Sequence, residues 1–503
     1  MHEPHSLAHP PCGPVLGHRT SPPAQAATGV QVTAWLGIPY AKPPTGELRW
    51  RATVPAADWT TALDARQFGP DAPQAPHPDL RGRGMDEDCL YLNVWAPEGA
   101  STAAAGLPVM VWVHGGGFAA GSGSDLRSDG EALARQGVVV VSFNYRVGVL
   151  GFLAHPQLNA ESPDGVSGNY GLLDQLEALR WVQRNIAAFG GDASRVTVFG
   201  VSAGSASICL LLTSPAARGL FQRAILHSPG TGRALASLEQ ACEAGVQLGA
   251  DVTALRQWSA QKVFEHTGVL SPKVRSLTRA RVLRPIRDGW LLPEDEPQAF
   301  RAGRLTAMPL LLGSNADEGS ALVKPWPLDA LAPYRELMQA NFGAAAPQAM
   351  AVWPAAADAD VRQAIGEAFA DTQFNYGVRL LARTMQGAGQ PVWRYVFTRR
   401  RPGQNDGPHH ADEVPYVFGT LRQALGEAAL GPEDELLSQQ MMQAWVRFAR
   451  EGSPGAVGSQ PWPGFEAAQD MHLVLDVPPR TDAHWRRAPL DFLDGFFTRP
   501  AQS

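Results

Sequence analysis

Gly200-Val201-Ser202-Ala203-Gly204 sets a serine between two glycines, directly after the apolar run RVTVF (195–199) and before a helical stretch, Ala203–Leu212. A serine hydroxyl becomes a useful nucleophile when its Oγ is exposed and a base can take its proton. A sharp strand-to-helix turn supplies the exposure. It holds the serine in a strained backbone conformation, and neighbouring chain passes too close for side chains at the flanks, hence glycine. The plain alternative is a turn whose serine caps the helix. A second stretch, His114-Gly115-Gly116-Gly117-Phe118, follows the strand-like PVMVWV. Acyl transfer puts negative charge on a carbonyl oxygen, and backbone N–H groups can meet it without reorganising. The oxyanion donors are therefore assigned to Gly116, Gly117 and Ala203, the last being the residue after the nucleophile. A nucleotide-phosphate loop competes poorly, since neither G-x-G-x-x-G nor G-x-x-x-x-G-K-[ST] is matched.

A scaffold must hold these segments together. Pro108–Val113 and Val138–Phe143 are apolar and β-branched, as in strands buried on both faces. Leu172, Leu176, Leu179, Val182, Ile186 and Phe189 recur at helical spacing, and Gly190-Gly191 supplies a stop. Arg195–Phe199, Arg223–His227, Pro309–Gly313 and Val392–Phe397 read as further strands, and Gln440–Arg450 as a late helix. Such alternation implies an α/β fold with a large, mostly parallel sheet and helices on both faces. Residues 235–300 and 325–390 look more helical and irregular, as insertions over the sheet. Residues 1–26 hold six prolines and read as an irregular segment, with His2, His5 and His9 solvated rather than bound to metal. Residues 27–503 are then one catalytic domain.

The chain has 503 residues, with 45% hydrophobic and 18% charged, so wholesale disorder is excluded. A formal net charge of −6 argues against a nucleic-acid or anionic-membrane binder. Four cysteines without CxxC spacing exclude a zinc ribbon and a disulfide scaffold. The uncharged run Gly99–Ser124 is interrupted by proline and glycine, which suits a strand and turn better than a membrane span. The N-terminus lacks an apolar signal core, so a cytoplasmic location is expected, or a secreted or periplasmic one if the start codon is misassigned.

Together the motifs resemble the type B carboxylesterase family, which includes bacterial para-nitrobenzyl esterases and animal cholinesterases. The resemblance rests on WLGIPYAKPPTGELRW (35–50), EDCLYLNVW (87–95), HGGGF (114–118), NYRVGVLGF (144–152), GNYGLLDQ (168–175) and FGGDASRVTVFGVSAGS (189–205). It continues through NADEG (315–319), HADEVPYVFG (410–419) and WVRFAREGSP (445–454), in family order over nearly the whole chain. It implies an α/β-hydrolase fold with inserted helical cap regions and a triad of Ser202, Glu318 and His410. Asp317 competes as the acid and His409 as the base, but the family patterns align on Glu318 and His410. A metal site at His409, His410, Asp412 and Glu413 is discounted because no second ligand group is apparent.

Some positions depart from the family. Val201 stands where members usually carry Glu, although Ser228 and Glu413 match the neighbours of that acid. Cys89 has only Cys12 before it and reads as a free, buried thiol. Asp79 and Ala321 fall about where cholinesterases carry the aromatics of a cation–π cage, so an uncharged alkyl or aryl ester is expected over a choline ester. The implied reaction needs no metal or organic cofactor; its partners are a small-molecule ester and water, with no nucleic acid and no membrane anchor. A non-catalytic binding relative on the same fold, or hydrolysis of an amide, carbamate or lactone, remains the alternative.

Overall fold

The fold is described from a computed structural model, over residues 5–20, 29–102 and 105–498. The strands are β1 (His5–Ala8), β2 (Val15–Thr20), β3 (Val32–Pro39), β4 (Leu63–Asp64), β5 (Tyr91–Pro97), β6 (Leu107–Val113), β7 (Val139–Phe143) and β8 (Gly191–Val201). They continue with β9 (Arg223–His227), β10 (Leu310–Asn315), β11 (Val392–Phe397), β12 (Ala456–Val457), β13 (Gln460–Pro461), β14 (Met471–Leu475) and β15 (Arg480–Ala483). One sheet of 13 strands runs β1-β2-β3-β5-β7-β6-β8-β9-β10-β11-β14-β15, with β4 beside β2, and β12–β13 form a separate pair.

From β7 to β14 every neighbouring pair is parallel. β1, β2, β3, β5 and β7 pair antiparallel in turn, as does β15 with β14, while β4 lies parallel to β2. The parallel part follows from side chains that alternate between two apolar layers. Val109, Val111, Val139, Val141, Val196 and Val198 face one layer, packed against the helix Tyr170–Asn185. Met110, Trp112, Val140, Phe199 and Ile225 face the other, against the helix Pro432–Glu451. The run that tempts a membrane assignment is β6 and its following turn, and no helix among the described residues is long and apolar enough to cross a membrane.

The irregular reading of residues 1–26 needs correction. Residues 5–20 contain the β1–β2 hairpin, whose register pairs Leu7 with Leu16 and Ala8 with Val15. Its signal is weak because the strands are short and prolines crowd the turn. Long-range contacts hold it: the Trp35 indole N–H donates to the Ser6 carbonyl at 3.3 Å, and that of Trp59 to the Pro14 carbonyl at 3.0 Å. His9 is exposed, while His2 and residues 21–26 lie outside the described residues. The two stretches read as insertions carry short helices and loops (235–300) and the helices Leu331–Phe342, Ala346–Val352, Val361–Ala370 and Tyr376–Gly387. All four cysteines are buried and unpaired.

Candidate active site

Ser202 sits between the end of β8 and the helix Ala203–Thr213, at φ 57° and ψ −117°. Its N–H donates to the His227 carbonyl at 2.9 Å, and its carbonyl accepts from the Ala206 N–H at 2.8 Å. The turn is thus tied to β9 on one side and to the helix on the other. A Cβ on Gly200 would lie 2.7 Å from the Val113 carbonyl oxygen; on Gly204 it would collide with that oxygen and lie 2.7 Å from the His114 one. Those backbone atoms end β6 and cannot yield. Gly204→Ala should therefore destabilise the fold by about 2–4 kcal/mol, read as a lower urea midpoint, and disarm the serine together with it.

The HGGGF stretch follows β6. Gly116 (φ 111°) and Gly117 (φ 65°) are both left-handed. The Gly116 carbonyl accepts from the N–H groups of Ala119 and Ala120, and that of Phe118 from Gly148 N–H. Gly116, Gly117 and Ala203 line one pocket of about 430 Å³ together with Ser202 and His410.

Glu318 follows β10 and is 1% exposed. Its Oε1 accepts from Ser228 Oγ at 2.5 Å and from the Asn315 N–H at 2.6 Å. Its Oε2 lies 2.5 Å from His410 Nδ1. A carboxylate with those partners accepts, so Nδ1 carries the proton and Nε2 presents its lone pair. That Nε2 is buried without a hydrogen-bond partner among the described residues, so the bond to Ser202 is not closed here. Such bonds commonly tighten only around substrate. The imidazole stacks on Phe374, ring centroids 4.5 Å apart. Burial pushes its pKa down, but the charge and hydrogen bond of Glu318, with Glu413 behind, outweigh burial and the opposing Arg275; the net direction is up from 6.5.

The competing residues are engaged elsewhere. Asp317 accepts from Ser320 N–H at 3.0 Å and Oγ at 2.5 Å, and His409 lies 3.9 Å from Asp317. Ser228 and Glu413 both join the hydrogen-bonded network behind Glu318 and His410. Asn315 links them: its N–H reaches Glu318, and its Nδ2 donates to Glu413 Oε2 at 2.6 Å. His227 is a member that sequence reasoning misses. The Trp445 indole N–H donates to its Nε2 at 3.1 Å, so the ring's proton sits on Nδ1, 3.0 Å from the Tyr395 hydroxyl and 3.3 Å from Glu413 Oε1. Burial alone would raise the Glu413 carboxyl, but the neighbouring His227 and the hydrogen bond from Asn315 hold it below its ordinary value. Val201 is buried beside this pocket, and Asp79 faces Arg127 and His77, each at 3.7 Å.

Sequence reasoning also misses a set of arginines. Arg233, Arg275, Arg281 and Arg284 all line the pocket of Ser202. The signal was available in KVRSLTRARVLRPIR (273–287), which has six basic residues in fifteen.

A G-x-S-x-G turn above a parallel sheet, with a glutamate after β10 and a histidine after β11, is the arrangement of an α/β hydrolase. The model of the carboxylesterase family matches residues 5–493, and the chain belongs to that family. It is 46% identical over 452 residues to the fumonisin B1 esterase of Sphingopyxis macrogoltabida, covering 88% of this chain and 83% of that one. It is 35% identical over 471 residues to the para-nitrobenzyl esterase of Bacillus subtilis (strain 168), covering 88% and 91%. A solved PNB esterase structure superposes with a TM-score of 0.81 at 32% identity, covering 97% of this chain and 100% of that one.

Proposed function

We propose that this carboxylesterase works by two-step acyl transfer on Ser202, with His410 as base, Glu318 as its orienting acid, and Ser228 and Glu413 as support. The observation that carries the reading is the Glu318 carboxylate 2.5 Å from His410 Nδ1, with Nε2 left unpartnered in the pocket that Ser202 lines. His410 takes the Ser202 proton as Oγ attacks the ester carbonyl. Glu318 holds the tautomer and stabilises the imidazolium. The amides of Gly116, Gly117 and Ala203 receive the oxyanion, each contributing about 10²–10³ in kcat. The alcohol departs with the proton from His410. Water then attacks the acyl-enzyme by the same route, so water is the second substrate. The β1–β2 hairpin joins residues 27–503 in one catalytic domain under the insertions near 235–300 and 325–390. Four buried, unpaired thiols favour a reducing, cytoplasmic compartment.

A fluorophosphonate probe tests the nucleophile: the adduct should map to Ser202, with stoichiometric loss of activity on a graded series of 4-nitrophenyl esters. Labelling elsewhere, or activity surviving full labelling, would refute it. Fumonisin B1 belongs in the substrate panel because the 46% identical relative is named for it.

The pH profile gives a second test. His410 works as a base only when neutral, and its pKa is held above 6.5. The acid limb of kcat/KM should therefore have its midpoint above pH 6.5. Arg275 opposes that elevation, so Arg275→Gln should move the limb to higher pH. A limb that stays in place, or moves down, would contradict this assignment.

A further inference from the structure

Arg233, Arg275, Arg281 and Arg284 converge beside Ser202, and no carboxylate among the described residues forms an ion pair with them. Arg233 and Arg284 are 5% and 8% exposed. None of the four forms an ion pair among the described residues, whereas Arg256, Arg287 and Arg304 nearby do. Nε and Nη2 of Arg233, Nε of Arg281 and Nε of Arg284 are buried with no hydrogen-bond partner. Arg284 gives Nη2 to the Gly230 carbonyl at 3.2 Å and lies over the Phe118 ring, 5.2 Å from its centroid. Arg275 Nη2 reaches the oxyanion loop, 4.0 Å from where a Cβ of Gly117 would stand.

Arginine is rarely buried unless paired, and it does not give up its proton in proteins. Burial and mutual repulsion push the Arg233 guanidinium down to about 9 and that of Arg281 well below its usual value. The acid that Arg233 and Arg284 feel is Glu296. It is hydrogen-bonded by Thr231 Oγ1, and burial pushes its carboxyl up to about 7, so near neutral pH it offers only part of one negative charge.

The backbone nevertheless holds the arginines in place. Three of them come from 271–295, which has no helix or strand of its own. Asn341 Oδ1 accepts the Leu277 N–H at 2.8 Å on one side, and Asn169 exchanges bonds of 3.0 and 2.9 Å with Ile286 on the other. A pinned cluster of like charges with unpaired donors, opening on a catalytic pocket, is complementary to an anion.

We propose that these four arginines form an anion subsite of the esterase pocket and that the preferred substrates are esters carrying one or more carboxylates beside the scissile bond. The inference rests on the esterase reading and deepens it. Neutral esters remain substrates of the same serine; the carboxylate adds recognition. Hydrogen bonds to charged groups of this kind are worth about 10- to 100-fold in kcat/KM.

The test compares wild-type kcat/KM for mono-(4-nitrophenyl) glutarate and its methyl ester, and for 4-acetoxybenzoate and its methyl ester. The first pair puts the carboxylate on the acyl side, the second on the alcohol side. At least one free acid should exceed its methyl ester by about tenfold or more, with the preference shrinking as salt rises. In Arg281→Gln the acid-to-methyl ratio should fall toward one. Methyl esters favoured in both pairs, or a ratio unchanged in the variant, would overturn the proposal. If that variant fails to fold, inhibition of wild-type 4-nitrophenyl acetate hydrolysis decides: glutarate should compete at least about tenfold more strongly than acetate, and equal inhibition refutes the subsite. A protein inactive on all four esters would instead refute the esterase reading. Titration calorimetry of wild type with glutarate then judges the subsite alone, and no detectable heat of binding at millimolar glutarate overturns it.

Discussion

Ser202→Ala should lower kcat/KM for 4-nitrophenyl butyrate by about 10⁴- to 10⁶-fold, and Ser202→Gly should lower it equally while raising the urea midpoint. The two variants separate chemistry from conformation. Both remove Oγ, so both stop acylation. They differ at the backbone, where residue 202 is held at φ 57° and ψ −117°. A side chain there carries about 1–3 kcal/mol of strain. Glycine adopts the conformation freely but loses about 0.5–1 kcal/mol more entropy on folding. The expected balance is a gain of about 1 kcal/mol for glycine over alanine. Alanine keeps the strain and should unfold with wild type. Equal midpoints for the two variants would mean that the turn is relaxed. Turnover above background in either would mean that another group is the nucleophile.

That strained turn was legible because its chemistry and its scaffold share one short stretch: RVTVF, a G-x-S-x-G and an apolar helix. The parallel strands were legible for a related reason. Each is buried on both faces, so Leu107–Val113 (LPVMVWV) reads as an apolar run and Val139–Phe143 (VVVSF) is broken only by Ser142. The antiparallel margin lacks that signature. β2 is VLGHRT, with one fully buried edge and a polar end, and β15 is RTDA, which leans on β14 for its register. Such strands are specified by neighbours that local pattern does not reveal.

The site divides along the same line. Ser202 and the glycine amides follow from local motifs, whereas Glu318 and His410 are 92 residues apart and were readable only through the family resemblance. His227 closes β9 as an ordinary apolar strand residue; its role depends on Trp445, 218 positions away. The arginines of 271–295 have no helical or strand period to say where they point. Their direction is set by Asn169 and Asn341, more than sixty residues off. The expectation of an uncharged ester rests on missing aromatics, whereas the proposed anion subsite draws on the basic run KVRSLTRARVLRPIR.

Glu318→Gln should lower kcat by about 10³- to 10⁴-fold with the fold intact, through the proton on His410. The carboxylate accepts at both oxygens: Ser228 Oγ and the Asn315 N–H on Oε1, His410 Nδ1 on Oε2. A glutamine fits the same space, and its carbonyl must occupy the Oε1 position because both partners there donate. Its amide nitrogen then faces His410 and donates to Nδ1. The imidazole proton is forced to Nε2, the atom that must take the serine proton, and the base is lost. A second readout follows from charge. Without the carboxylate that raises the His410 pKa, the acid limb of the residual activity should shift to lower pH. A residue that merely braced the loop would cost activity without moving that limb. Asp317→Asn is the matched control, since Asp317 serves Ser320, and it should leave kcat close to wild type. A larger loss at Asp317 than at Glu318 would reassign the acid. An unmoved limb in Glu318→Gln would deny the carboxylate its electrostatic hold on the base.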